Sequence, residues 1–373
     1  MAGIYIHIPF CRRACHYCNF HFSTSGKQLN DFVAALLKEI RLQESFLAGE
    51  TVETVYFGGG TPSLLPLDQL NNIIGELRQH FNIGPEAELT LEANPDDLNE
   101  AALAGWRSAG INRLSIGIQS FFEEDLRWMN RAHTAQQAID LLPLALQYFP
   151  NTTIDLIYGT PGLTDEKWRQ NVDRALALRI PHLSCYALTV EPRTALDALI
   201  RKQKSPPVNT EDQARQFLLL MQWLREAGYD HYEISNFALP GHRSRHNSAY
   251  WKGIRYLGLG PSAHSYDGRN RQWNIANNAL YIRSLQQDTV PFEKEELTEE
   301  QQFNEFVMIA LRTMEGISLS VADRFGNGQF GRQLRSHARK YLQQQWLQEI
   351  NDHYILTSAG KLFADGIAAD LFV

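Results

Sequence analysis

Cysteine, basic charge and long apolar runs are all scarce in this sequence of 373 residues. There are only four cysteines, and 35 Lys and Arg residues against 42 Asp and Glu residues give a formal net charge of −7. So few cysteines exclude a disulfide-stapled scaffold. The negative charge argues against a general nucleic-acid binder, which normally carries a basic surface. No apolar run approaches the roughly 20 residues that a membrane-spanning helix needs.

The first residues, MAGIYIHIPF, also lack the basic and apolar segments of a secretory signal peptide. We therefore expect a soluble, cytoplasmic protein whose contact with a membrane, if it makes one, is peripheral. Because the cytoplasm is reducing, a disulfide among Cys11, Cys15 and Cys18 is not expected.

Short apolar segments alternate with amphipathic segments along the first half of the chain. Six strands are predicted, starting at Ile4, Thr54, Leu89, Arg113, Thr152 and Leu183. Between them lie predicted helices, with starts after Pro66 and at Thr164 and with stops at Gly84 and Gly110. This alternation is typical of parallel βαβ units. Six units are too few for a closed eight-fold barrel, so we predict an α/β fold with a partial (β/α)6 TIM-like barrel.

The pattern changes after Pro207, which divides the chain into three predicted regions. Residues 1–207 form the core barrel, residues 208–296 form a loop-rich extension that begins with a helix, and residues 297–373 form a smaller C-terminal domain. That domain is predicted to be mostly helical and winged-helix-like. Since its end is acidic to neutral, we expect it to pack against the barrel and not to bind nucleic acid.

Three of the four cysteines fall in FCRRACHYCNF, with the spacing C-x3-C-x2-C. Thiolates are soft ligands for zinc, copper(I) or iron–sulfur clusters. A structural zinc site normally needs four protein ligands, and the fourth cysteine, Cys185, lies in an apolar segment typical of the core. Three close thiolates suit three irons of a [4Fe–4S] cluster and leave the fourth iron open to a small molecule. Zinc and unrelated core thiols are the alternatives.

The spacing of Cys11, Cys15 and Cys18, with Tyr17 before the last cysteine, resembles the signature of the radical S-adenosylmethionine (SAM) superfamily. The resemblance implies that the amino and carboxylate groups of SAM bind the open iron. It also implies that an electron from the reduced cluster cleaves SAM to methionine and a 5′-deoxyadenosyl radical. In such proteins the cofactor carries the chemistry and the chain positions it.

Further segments extend the resemblance over almost the whole chain. YIHIPFC, YFGGGTPS, LEANPDD, LSIGIQSF, NRAHT and IDLIYGTPG together resemble the HemN/HemW family, which contains oxygen-independent coproporphyrinogen III oxidases and heme chaperones. The resemblance implies that a set of polar, aromatic and small residues contacts SAM: Tyr5, Tyr17, Gly59, Gly60, Thr61, Glu92, Gln119, Arg131, Asp155 and Ala187.

Independent reasoning supports part of this set. Glycines after a strand let a ligand approach the backbone closely, and Glu92 ends a strand, where a carboxylate can accept bonds from ribose hydroxyls. Asp155 lies in an apolar strand, where a polar group needs a partner or a ligand. An internal hydrogen-bond network is the alternative for Asp155, and strand packing is the alternative for Tyr5.

The segment HNSAYW, from His246 to Trp251, resembles the H-N-x-x-Y-W motif of the heme-chaperone branch. A neutral imidazole is a good axial ligand for heme iron, so we predict this role for His246. The neighbouring aromatic and basic residues could pack against a porphyrin and pair with its propionates: Tyr250, Trp251, Arg243, Arg245 and Lys252. An ordinary loop histidine is the alternative, and His264 is a second candidate ligand.

Oxidases of the family resemble C-x3-C-x2-C-x-C, but Phe20 stands at the position of the fourth cysteine. This difference puts porphyrinogen decarboxylation in doubt and leaves open whether the protein is an enzyme. The leading hypothesis is a heme chaperone that binds a [4Fe–4S] cluster, SAM and heme and delivers heme to an acceptor protein. The resemblance implies respiratory, membrane-associated acceptors. The alternatives are an oxygen-independent coproporphyrinogen III oxidase and a radical SAM enzyme acting on RNA, which the missing basic stripe disfavours. The sequence does not predict the oligomeric state.

Overall fold

A computed structural model describes all residues 1–373. The six predicted strands are present and lie parallel in one sheet: β1 (Ala2–Ile8), β2 (Val52–Gly59), β3 (Ile83–Ala93), β4 (Arg113–Gln119), β5 (Thr152–Tyr158) and β6 (His182–Ala187). Most of their residues are buried, as expected for parallel strands that helices cover. The ring does not close, because β6 pairs with a later strand and not with β1. The predicted partial barrel is confirmed.

Seven helices accompany these strands: α1 (Leu29–Leu42), α2 (Leu67–His80), α3 (Glu100–Ala109), α4 (Glu123–Trp128), α5 (Ala135–Tyr148), α6 (Asp165–Ala177) and α7 (Ala195–Arg201). The first six separate successive strands of the barrel, as the alternation in the sequence predicts, and α7 follows β6. No helix anywhere in the structure combines the length and the apolar composition that crossing a membrane requires.

Most predicted helix ends are confirmed. The Thr164 side chain caps α6 by accepting a hydrogen bond from the backbone N–H of Lys167. Gly110 ends α3 in the left-handed conformation, with φ at 101°. The predicted stop at Gly84 is wrong, because α2 already ends at His80 and Gly84 lies within β3. The backbone becomes extended at Phe81, whose side chain is buried in the core.

Residues 208–296 differ from the predicted loop-rich extension. They form α8 (Thr210–Glu226), β7 (Asp230–Glu233), β8 (Asn236–Ala238), α9 (Arg245–Trp251), β9 (Tyr256–Leu259), β10 (His264–Tyr266), β11 (Asn270–Asn274), α10 (Asn278–Gln286) and β12 (Phe292–Glu296). These strands extend the sheet to twelve strands in the order β12-β11-β10-β9-β1-β2-β3-β4-β5-β6-β8-β7. They are three to five residues long and rich in polar side chains, so they lack the apolar alternation by which strands are recognised.

The C-terminal region forms α11 (Glu299–Leu311), β13 (Ile317–Ser318), α12 (Leu319–Ala322), α13 (Gln329–Gln343), β14 (Leu347–Ile350), β15 (His353–Leu356) and α14 (Ala364–Asp370). It has its own hydrophobic core, separate from that of the barrel. The α12–α13 pair followed by the β14–β15 hairpin confirms the predicted small, mostly helical, winged-helix-like domain. An ion pair of 2.9 Å between Arg312 and the buried Glu233 joins it to β7, the edge strand of the twelve-stranded sheet.

Candidate functional site

A cavity of about 440 Å³ opens at the carboxyl ends of the parallel strands. This end of a (β/α) barrel is where active sites lie, because the loops after the strands meet there. Twelve of the fourteen predicted site residues line it: Cys11, Cys15, Tyr17, Cys18, Gly59, Gly60, Thr61, Glu92, Gln119, Arg131, Asp155 and Ala187. The structure thus brings residues from five strands and their neighbouring loops together, as the resemblance implies.

The three cysteines lie in the loop that follows β1, and all three are partly exposed. A guanidinium N–H of Arg131 donates to the Cys15 sulfur at 3.4 Å. Burial raises the pKa of the Cys11 thiol to about 11, although the nearby Thr61 side chain lowers it in part. A thiolate at Cys11 therefore needs a compensating positive charge, which bound iron would supply.

The donor set fits a [4Fe–4S] cluster. No three His, Cys, Asp or Glu side chains surround a position for a single metal ion. The three thiols instead share one cavity wall, which suits ligands that each bind a different iron. Cys185 is only 1% exposed within β6 and does not line the cavity, so the prediction that it is a core residue is confirmed.

Two carboxyl groups and one guanidinium, all half-buried, line the polar part of the cavity. Glu92 accepts a hydrogen bond of 2.8 Å from the Tyr56 hydroxyl, and burial raises its pKa to about 8. Burial likewise raises the pKa of Asp155 to about 7. Arg131 donates to Asn94 Oδ1 and to the Gly117 carbonyl, but its Nε is buried without a partner. An unpaired buried donor beside acceptors that can take ribose hydroxyls fits a ligand with a carboxylate and a sugar.

Gly59 and Gly60 are required by the packing of the protein itself, apart from any contact with a ligand. A Cβ atom on Gly60 would lie 2.6 Å from the Phe10 carbonyl oxygen, so only glycine lets β2 end against the loop that carries the cysteines. Gly59 has φ at 105°, and a Cβ there would meet the His7 ring. Gln119 also has a positive φ, 66°, at the end of β4 on the cavity wall, a strained conformation for a residue with a side chain.

Tyr5 and His246 are the predicted residues that lie outside this cavity. The Tyr5 ring stacks on Tyr56 within the barrel, with ring centroids 6.1 Å apart, and its hydroxyl lies 3.3 Å from His7 Nδ1. These contacts agree with the packing alternative for Tyr5.

His246 lies on α9, not on a loop, and is only 2% exposed. Its Nδ1 is 2.8 Å from the Thr54 hydroxyl and its Nε2 is 2.9 Å from the Tyr250 hydroxyl. Burial lowers its pKa to about 3, so the imidazole is neutral, as a metal ligand must be. Both ring nitrogens have partners in this structure, however. A role in binding iron therefore requires Tyr250 or Thr54 to release the ring.

The HNSAYW helix and the cysteines lie at opposite ends of the barrel. Thr54, which bonds His246, and Gly59, which lines the cysteine cavity, are five residues apart on β2, or roughly 17 Å along a strand. The two cavities are therefore distinct, although Tyr56 contacts residues of both sites: its hydroxyl donates to Glu92, and its ring stacks on His246 with centroids 5.0 Å apart.

A groove of about 980 Å³ runs between α9 and the C-terminal domain. Five residues predicted to surround heme line it: Arg243, Arg245, Tyr250, Trp251 and Lys252. His246 does not, but Thr54 and Tyr250, which bond its ring, both do. The exposed His264 lies outside the groove.

The sequence did not predict some of the residues that line the cysteine cavity and the groove. The cysteine cavity also contains Tyr186 from β6, and the groove also contains Tyr256, Arg271, Phe306 and Ile309. No local motif marks these residues. Those of the groove reach it only through the long-range packing of β9, β11 and α11.

Known protein families match both the barrel and the C-terminal domain of this chain. Residues 5–175 match the family model of the Radical SAM superfamily, and residues 297–363 match the HemN C-terminal domain. The protein named heme chaperone HemW from Mycobacterium tuberculosis is 35% identical, with 99% of this chain and 94% of that protein covered. The protein of the same name from Bacillus subtilis is 32% identical, with 98% of this chain and 98% of that protein covered. The one from Escherichia coli K12 is 31% identical, with 98% of this chain and 96% of that protein covered.

Among solved structures, the radical SAM enzyme coproporphyrinogen III oxidase (HemN) from Escherichia coli superposes with a TM-score of 0.86. The match covers 100% of this chain and 90% of that one at 24% identity. At this identity the likeness shows the fold alone, and it agrees with the partial barrel and the C-terminal domain described above.

Proposed function

The chain belongs to the HemN/HemW family of radical SAM proteins, and from this premise we propose that it is a heme chaperone. It binds a [4Fe–4S] cluster, SAM and heme, and delivers heme to an acceptor protein. Three relatives that carry the heme chaperone name, similar over nearly the whole chain, support this proposal. The observation that carries it is the HNSAYW segment, which folds as α9 with a neutral histidine directly behind the wall of an open groove.

In this proposal Cys11, Cys15 and Cys18 hold three irons of the cluster. When bound, the cluster and SAM supply one-electron reductive chemistry. The Arg131 guanidinium, which lines the cavity, would bind the SAM carboxylate. Glu92, at the end of β3, accepts hydrogen bonds from the ribose hydroxyls.

Heme is the cargo, and we propose that His246 is its axial ligand. The Tyr250 hydroxyl lies 2.9 Å from Nε2 and hydrogen-bonds to it, and Tyr250 itself lines the groove. Rotation of the Tyr250 side chain would free Nε2 toward a heme in the groove. The hydrogen bond that must break is a neutral one, worth about 1 kcal/mol net, which iron ligation readily offsets. Respiratory membrane proteins as acceptors and a cytoplasmic location stay predictions.

Phe20 weighs against the alternative, an oxygen-independent coproporphyrinogen III oxidase. Its side chain is 66% exposed and lines the cysteine cavity at the position where the oxidases carry a further thiol. The residues that would hold the cluster and SAM do not need that thiol.

Anaerobic turnover separates the two functions. We expect the reconstituted protein, supplied with SAM, a reductant and coproporphyrinogen III, to leave the substrate mass unchanged, because Phe20 replaces the fourth cysteine of the oxidases. Mass spectrometry of the extracted porphyrins checks this, with an authentic coproporphyrinogen III oxidase as the positive control. Loss of carbon dioxide with formation of vinyl groups would contradict the chaperone assignment.

A further inference from the structure

The groove beside α9 has two walls, and the second wall belongs to the C-terminal domain. Phe306, Ile309 and Thr313 recur at helical spacing along and just beyond α11 and face the same groove as Tyr250 and Trp251. We propose that heme binds in this groove, between α9 and α11, so that the C-terminal domain forms half of the heme site. This inference rests on the proposed chaperone function and extends it to a part of the chain outside the HNSAYW motif.

The size of the groove fits a large planar ligand. Clefts that hold small molecules range from about 300 to 1,000 Å³ and favour domain interfaces. At about 980 Å³ the groove lies at the upper end of that range. Aromatic side chains stand on both walls, with Tyr250 and Trp251 on one side and Phe306 on the other. A macrocycle with two apolar faces would contact both walls at once.

The charged residues of the groove fit a ligand that carries carboxylates. Arg243 pairs with Glu315 at 2.8 Å, Arg245 pairs with Glu53 at 3.0 Å, and Arg271 pairs with Glu305. Lys252, by contrast, forms no ion pair in the structure and is exposed at the end of α9. The groove therefore keeps one free cation beside its aromatic walls, as an anionic amphipathic ligand requires.

The two walls are fixed to each other. The Arg312 guanidinium lies over the Trp251 ring, 5.3 Å from its centroid, and also pairs with the buried Glu233. The Trp251 indole N–H is buried and has no hydrogen-bond partner. The HNSAYW motif is thus held in place by a residue that follows α11 and not by the barrel alone.

Filling the groove from the C-terminal side tests the proposal. Ile309→Trp adds bulk to the α11 wall and leaves the sequence of α9 unchanged, and we expect heme affinity to fall at least about tenfold. The iron and sulfide content of the reconstituted protein should not change, because the cysteines lie at the other end of the barrel. Ile350→Trp is the matched control, since Ile350 is a 43% exposed isoleucine of the same domain outside the groove.

A second variant keeps the test valid if Ile309→Trp does not fold. Lys252→Glu changes an exposed side chain, so the fold should persist, and we expect several-fold weaker heme binding with Lys204→Glu as control. If both groove variants bind heme like the parent while His246→Ala does not, heme lies elsewhere on α9 and the inference fails although the chaperone function stands. If the parent itself binds no heme, the function fails. Weakening by Ile309→Trp and Lys252→Glu, with intact controls, supports the groove.

Discussion

Cys15→Ala is expected to abolish the iron–sulfur cluster. Three thiolates are the minimum that holds three irons, and Cys15 is the cysteine that accepts the hydrogen bond from Arg131. Its removal leaves a second iron without a protein ligand, beside the open fourth iron, so the broad visible absorbance should vanish. Bound iron should fall from about four per chain to near zero. Iron and acid-labile sulfide are measured after anaerobic reconstitution.

Cys185→Ala is the matched control for that experiment. The Cys185 side chain is buried in β6 and away from the cavity, so this variant should keep the cluster and lose only a little packing. Iron and sulfide at the parental level in Cys15→Ala would count against the three-cysteine site.

His246→Ala is expected to lower heme affinity at least about tenfold while the cluster stays intact. The physical reason is the loss of the axial imidazole, the one neutral nitrogen ligand directly behind the groove wall. The variant also loses two side-chain hydrogen bonds, to Thr54 and to Tyr250, so the free energy of unfolding should drop by about 1–3 kcal/mol. A heme titration followed by Soret absorbance, together with thermal unfolding, measures both effects.

His264→Ala controls for the loss of a histidine in the same region, because His264 is exposed and lies outside the groove. Added imidazole provides a second test, since it can occupy the space left in His246→Ala and restore the ligand. Restored Soret absorbance would distinguish ligation from a purely structural role. Equal heme affinity in His246→Ala and the parent would reject His246 as the ligand.

The sequence predicts the barrel and its cysteine cavity well because both depend on local patterns. Strands such as Arg113–Gln119 carry an apolar side chain at every second position, and parallel strands bring their carboxyl ends to the same edge of the sheet. The ends of the predicted strands therefore place Glu92 and Gln119 near the cysteines. Gly60 also follows from local reasoning, although its tight approach is to the Phe10 carbonyl of the protein itself.

The extension and the groove could not be predicted in the same way. Short polar strands such as β11 have no apolar alternation. Their pairing therefore depends on neighbouring strands of the sheet, which a local pattern does not reveal. The helix α9, which carries HNSAYW, is only seven residues long. It is held by Glu88, which accepts hydrogen bonds from the backbone N–H groups of Arg245 and His246. The contact between Trp251 and Arg312 joins residues far apart in the chain, and no local signal encodes such a contact.

The most direct test of the heme chaperone assignment is a titration of heme into the anaerobically reconstituted protein, followed by Soret absorbance. We predict saturable binding at about one heme per chain, because one α9 helix and one groove are present. Absence of saturable binding would contradict the account, however well the cluster assembles.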